Sequence, residues 1–220
     1  MINKIHIILI LCILTAGLNA QDKYNPKFAV GGSFGTTFSS VTFIPKVKNS
    51  MLMGYTGGLM GRFDSEKNVG LQVELNLIQQ GWDETFEDPK YQYSRTLSYI
   101  EMPFLTHIYM GSKRVKFFLN LGPKIGYLIG EKTEQQNIDD QTGTVTEQYG
   151  MKVQNKFDWG LCGGPGLELR TGIGYFLLEG RYYYALGDFF KSRRVDFFGK
   201  SSSQVISVKV SYLIPLGRKK

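Results

Sequence analysis

The chain has 220 residues, a formal charge of +7 and two cysteines, with 26 glycines, 13 tyrosines and 15 phenylalanines. That length suits a single domain once a leader is set aside. The basic residues are scattered among apolar ones, which argues against a nucleic-acid groove, where they would cluster on one face. Cys12 and Cys162 are too far apart in role to form a bridge: Cys12 lies in the leader described next, leaving Cys162 alone and a disulfide excluded.

Residues 1–20 read as a cleaved secretory signal. Lys4 supplies the positive charge, Ile5 to Leu14 an apolar run, and Thr15 to Ala20 a small-residue end with cleavage expected after Ala20. The run is shorter than the ~20 residues a membrane-spanning helix needs. Residues 21–220 are then expected to form one domain.

From Lys27 onward the dominant signal is alternation with period two, the mark of strands with two unlike faces. Phe28, Val30, Phe34 and Phe38 share a face in Lys27–Ser39, and Met53, Tyr55, Leu59 and Phe63 in Met51–Phe63. Val69, Leu71, Val73, Leu75 and Leu77 oppose Gln72, Glu74 and Asn76. Ile100, Met102, Phe104 and Ile108 oppose Glu101 and His107. In the second half, Phe117, Leu119, Leu121, Ile125 and Tyr127 oppose Asn120 and Lys124. Phe157, Trp159, Leu161, Leu167 and Leu169 oppose Asp158, Cys162, Glu168 and Arg170. Phe176, Leu178, Tyr182 and Tyr184 oppose Glu179 and Arg181, and Ile206, Val208, Val210, Tyr212 and Ile214 oppose Ser207, Lys209 and Ser211. This predicts eight strands, an even number as bacterial outer-membrane barrels require.

The connections alternate in length. Asp64–Asn68, Met110–Arg114 and Thr171–Gly174 are tight, whereas Ser40–Ser50, Gly81–Arg95, Gly130–Lys156 and Asp188–Ser203 are long. Short periplasmic turns and long external loops produce that alternation. The expected fold is therefore all-β: an eight-stranded antiparallel transmembrane up-and-down barrel in the outer membrane of a Gram-negative-type bacterium, in contact with outer-membrane lipid.

Alternation alone also fits a soluble barrel, whose apolar face points inward. The polar face decides: it carries Arg62, Lys124, Arg170, Arg181 and Lys209 against Glu74, Glu101, Asp158, Glu168 and Glu179. Balanced charge of this kind suits a closed lumen filled by an ion-pair network. Tyr55, Trp82, Tyr99, Tyr127, Trp159 and Tyr212, near strand ends, are candidates for interfacial girdles.

Several segments resemble the PorT-like outer-membrane β-barrel family of Bacteroidota. They are Tyr99-Ile-Glu-Met-Pro103, Gly122-Pro-Lys-Ile-Gly-Tyr127, Phe157-Asp-Trp-Gly160 with Gly163-Gly-Pro-Gly-Leu-Glu168, and Leu178-Glu-Gly-Arg-Tyr182 with Gly187. The resemblance implies the same barrel and a link to protein secretion, with an envelope or secretion-system protein as partner. Many such barrels end on an aromatic residue; here the sequence ends Arg218-Lys219-Lys220, and Tyr212 is the aromatic inside the last strand.

No metal-ligand cluster, cofactor motif or nucleophile motif is present. His107, the one histidine after the leader, has no serine at a catalytic spacing. Specificity is expected in the loops, where Trp82, Phe86, Tyr149, Phe189, Phe190, Phe197 and Phe198 form a candidate binding surface. The same acidic and basic loops could equally pack on each other and cap the barrel. The leading expectation is a non-enzymatic structural or interaction component; a narrow channel or transport accessory, and a lipid-modifying enzyme, are the alternatives.

Overall fold

A computed structural model describes residues 25–88, 90–138, 147–192 and 196–216. The expected leader and its cleavage site, parts of three of the expected long loops, and the last four residues lie outside that set.

Eight long strands close into an antiparallel ring: β1 (Lys27–Ile44), β3 (Leu52–Glu66), β4 (Val69–Glu84), β5 (Gln92–Gly111), β6 (Val115–Gln136), β7 (Phe157–Arg170), β8 (Tyr175–Ala185) and β9 (Lys200–Leu216). Each pairs with its neighbours in sequence, and β1 closes the ring against β9 from Phe28↔Leu216 to Ile44↔Lys200. Closure pairs each of the eight long strands on both sides over most of its length, the condition for placing a sheet in lipid, where an unpaired backbone group finds no water. A two-residue strand, β2 (Asn49–Ser50), pairs with the top of β4, and a single helical turn, α1 (Glu147–Gly150), lies in the β6–β7 connection.

The short turns hold at one end. Asn68 turns β3 into β4 with φ of 79°, a left-handed conformation that asparagine tolerates, and Gly111 takes φ of 131° at the end of β5. In the third turn, the Thr171 amide and hydroxyl both donate to the Gly174 carbonyl, at 2.8 and 2.7 Å.

Several strands outrun the expected bounds. β5 and β6 stay paired from Ser98↔Gly130 to Gln92↔Gln136, so much of the predicted Gly81–Arg95 and Gly130–Lys156 loops is strand. Ser40–Ile44 and Lys200–Ser203 are likewise strand and not loop. The reason is physical: above the hydrocarbon a strand needs no apolar face, so the alternation stops while the backbone ladder continues. Glu131, Lys132, Thr133 and Glu134 show this, all exposed yet all in register with β5.

The two faces are inverted relative to a water-soluble protein. Leu59 is 69% exposed and Phe117 62%, while Arg62 is fully buried and Glu74 is 1% exposed. Exposed apolar side chains run from Phe28 to Phe38 on β1, Met53 to Phe63 on β3, Val69 to Leu77 on β4 and Phe176 to Tyr182 on β8, and continue round the ring. An apolar surface of that extent is unstable in water and stable in lipid.

Candidate functional site

The lumen holds two linked polar clusters. The lower one, near the short turns, centres on Arg62. Its Nη1 donates to Glu168 at 2.5 Å and to His107 Nε2 at 3.2 Å, and its Nε lies 3.2 Å from Asp64. Arg170 pairs with Glu168 and reaches Asp64 at 3.5 Å. Because Arg62 can only donate, His107 Nε2 accepts, and the proton sits on Nδ1, which donates to Asn120 Oδ1 at 2.7 Å. Asn120 in turn donates to Glu179 at 3.0 Å, which joins the lower cluster to the upper.

In the upper cluster Glu74 is the hub. It accepts both terminal nitrogens of Arg181 at 2.6 and 2.9 Å, Lys209 Nζ at 2.7 Å, Gln72 at 2.7 Å and Asn76 at 2.9 Å. Arg181 also donates to Glu179 from Nε at 2.9 Å. Asn76 reaches Glu101 at 3.2 Å, and Glu101 pairs with Lys124 at 2.7 Å. The Lys124 ammonium sits 3.3 Å from the centroid of the Tyr183 ring. The space left between Thr56, Glu101, Lys124, Arg181 and Lys209 is a cavity of about 10 Å³, close to the room one water molecule needs.

All ten charged residues expected on the polar face point inward, and nine of them share ion pairs. Asp158 is the exception: it is half-buried, above the clusters, where Gln80 donates to it at 3.5 Å. Asp64, expected in a turn, is 2% exposed and pairs with Arg62. The amides of Gln72, Asn76 and Asn120, legible only as polar-face residues, bridge the charges.

The long-loop end is closed by aromatics. Phe43, Trp82, Phe189, Phe190 and Phe198 pack in one cluster, with ring centroids 5.2 Å apart for Phe43–Trp82 and 5.5 Å for Trp82–Phe189. The Arg95 guanidinium lies 5.8 Å from the Trp82 ring, held by Glu131 at 2.7 Å and by the Gln148 carbonyl at 3.2 Å. Glu84, beyond the apolar band, accepts from Trp82 Nε1, Gln148 Nε2 and Tyr149 Oη at 3.2, 3.0 and 2.8 Å. Burial pushes its carboxyl above the usual range, and those three hydrogen bonds pull part of the way back.

This arrangement corrects the expected loop binding surface. Trp82, Phe189, Phe190 and Phe198 are buried, and Phe86 and Tyr149 pack partly against the same cluster; of the seven, Phe197 is exposed, at 44%. Aromatics in long loops resemble a contact surface in sequence, but rings at the mouth of a closed barrel gain more by covering one another. Trp82 and Tyr99 also leave the expected girdle, since both face inward, whereas Tyr55, Tyr127 and Trp159 face lipid.

Residues 19–191 match the family described as outer membrane protein beta-barrel domain. The chain belongs to this family. Its place is accordingly the outer membrane, as the inverted faces require. Among solved structures it is similar to the outer membrane protein OprG of Pseudomonas aeruginosa, at 13% identity, 86% of this chain, 95% of that one and a TM-score of 0.49. The attachment invasion locus protein Ail of Yersinia pestis is similar at 13% identity, covering 84% and 98%, with a TM-score of 0.42. Outer membrane protein W of E. coli is similar at 12%, covering 88% and 100%, with a TM-score of 0.40. A search of curated proteins returns no match.

Proposed function

We propose that this barrel is a non-conducting, non-enzymatic component of the outer membrane that works by structure or by contact with another envelope protein. The observation that carries the reading is the filled interior: ion pairs cross the lumen from Arg62 to Lys124, and the aromatic cap closes the mouth above them. An ion crossing here would have to displace buried, paired charges, which costs several kcal/mol for each charge stripped of its partner. The lipid-modifying alternative needs a histidine free to take a proton from a nucleophile. His107 has both ring nitrogens engaged, one by Arg62 and one by Asn120, which favours a structural role. The PorT-like motifs Tyr99–Pro103 and Leu178–Tyr182 point the contact reading toward protein secretion.

The test has two parts. In a planar lipid bilayer the folded protein is expected to give no unitary current steps; steps from the wild-type barrel that grow when Arg181 is neutralised would establish the channel reading instead. A photo-crosslinking side chain at the exposed Phe197, in intact cells, is expected to trap a discrete envelope protein. Loss of that adduct with the barrel correctly assembled would overturn the contact reading.

A further inference from the structure

The barrel wall is indented on its lipid-facing side. β3 and β4 pair only as far as Thr56↔Ile78, although β3 continues along β1 to Leu52 and β4 continues along β5 to Asp83. Above that point the top of β4 steps inward. Two buried side chains of β1 replace β3 as its partners: Thr37 Oγ1 donates to the Gln79 carbonyl at 2.7 Å, and Ser39 Oγ accepts the Gly81 amide at 2.8 Å. Inward-facing hydroxyls of β1 can meet the β4 backbone only if β4 has passed inside β3. Gly54 allows the crossing, because a Cβ there would lie 2.8 Å from the Gln79 carbonyl oxygen.

The step leaves a recess of about 620 Å³ on the outer wall. Its sides are Phe34 and Tyr55 on one flank and Ile129 on the other, with Leu77 between them. Ile129 is the extra residue where the β5–β6 register shifts from Tyr99↔Leu128 to Ser98↔Gly130. All four side chains are more than half exposed. Gln79 and Ser98 supply the polar groups toward the long-loop side, where the apolar band ends. Thr56 and Ile78 form the back wall and also border the small cavity in the lumen; the Thr56 hydroxyl is buried, with no hydrogen-bond partner among the described residues.

We propose that this recess seats one acyl chain of an outer-leaflet lipid. Its volume falls in the range of about 300–1,000 Å³ typical of small-molecule sites, and its lining is apolar with a few polar groups at one end. It opens sideways into the hydrocarbon and not upward into water, so the molecules that meet it are membrane lipids. An acyl chain lying along Leu77 and Ile129 leaves its polar end beside Gln79 and Ser98, at the level where headgroups begin. This site is separate from the filled lumen and from any partner at the mouth.

The test is native mass spectrometry of the barrel extracted from outer membranes in mild detergent. Wild type is expected to keep one lipid. Leu77→Trp, which fills the recess with a residue suited to a lipid-facing position, should lower the lipid-bound fraction about tenfold or more. Leu178→Trp, on the lipid-facing side of β8 across the ring, should leave it unchanged. Folding of each variant is checked by its shift between boiled and unboiled gel samples, with Gln79→Trp replacing Leu77→Trp if the latter fails to fold. A wild-type barrel without bound lipid, or equal retention in Leu77→Trp and Leu178→Trp, overturns the proposal. Uptake of free palmitate but not of phospholipid or lipid A by the delipidated barrel overturns it too.

Discussion

Replacing Glu74 with alanine is expected to destabilise the barrel by about 3–5 kcal/mol, the cost of leaving a buried charge without its partner. Glu74 is 1% exposed and holds both Arg181 and Lys209. Arg181 keeps Glu179 in the variant, but the Lys209 ammonium, 2% exposed, loses the carboxylate with which it pairs. The barrel interior gives it no lipid headgroup and little water. Urea unfolding in phospholipid vesicles, followed by tryptophan fluorescence, measures the loss. Combining Glu74→Gln with Lys209→Met should recover most of it, because removing both charges also removes the desolvation penalty. If Glu74→Ala unfolds at the wild-type midpoint, the lumen is hydrated well enough to screen its charges and the ion pairs do not fill it.

The second large effect belongs to the mouth. Trp82→Ala removes a fully buried indole from the centre of the aromatic cluster, where it touches Phe43, Phe189 and Tyr93 and underlies Arg95. Truncations of this size cost about 3–5 kcal/mol in a packed core. The loss should stay local, because neither the β1–β9 closure nor the ion pairs of the Glu74 and Arg62 clusters involve Trp82. Protease cleavage in the Asp188–Gly199 connection is expected to accelerate strongly, while the difference between boiled and unboiled migration is retained. The bilayer current should remain absent, since the Glu74 and Arg62 clusters still block the lumen. A conducting Trp82→Ala variant would show that the cap, and not the ion pairs, is the barrier.

What could be read from the sequence was whatever repeats with the strand period. Leu71, Val73, Leu75 and Leu77 against Gln72, Glu74 and Asn76 reveal both the strand and its two environments, because every residue must satisfy lipid or lumen in turn. The charges of the polar face were legible for the same reason. Their pairing was not, because Arg62 meets Glu168 across the ring, 106 positions away in the chain, and no local pattern encodes that distance. The mouth was illegible in another way. Trp82 and Phe190 have the composition of a binding surface, and only the inward step of β4 and the hydrogen bond of the Phe189 amide to the Ser201 carbonyl bring them into one cluster. The indentation at Gly54 and Gly81 left no mark beyond two glycines among 26.

Lipid takes the apolar face of every strand and the lumen the charged one. Single spin labels placed at each position from Leu71 to Leu77 on β4, in vesicles, test it by their accessibility to oxygen dissolved in the bilayer. High accessibility is expected at Leu71, Val73, Leu75 and Leu77 and low accessibility at Gln72, Glu74 and Asn76. The opposite phase, or no alternation, would contradict it.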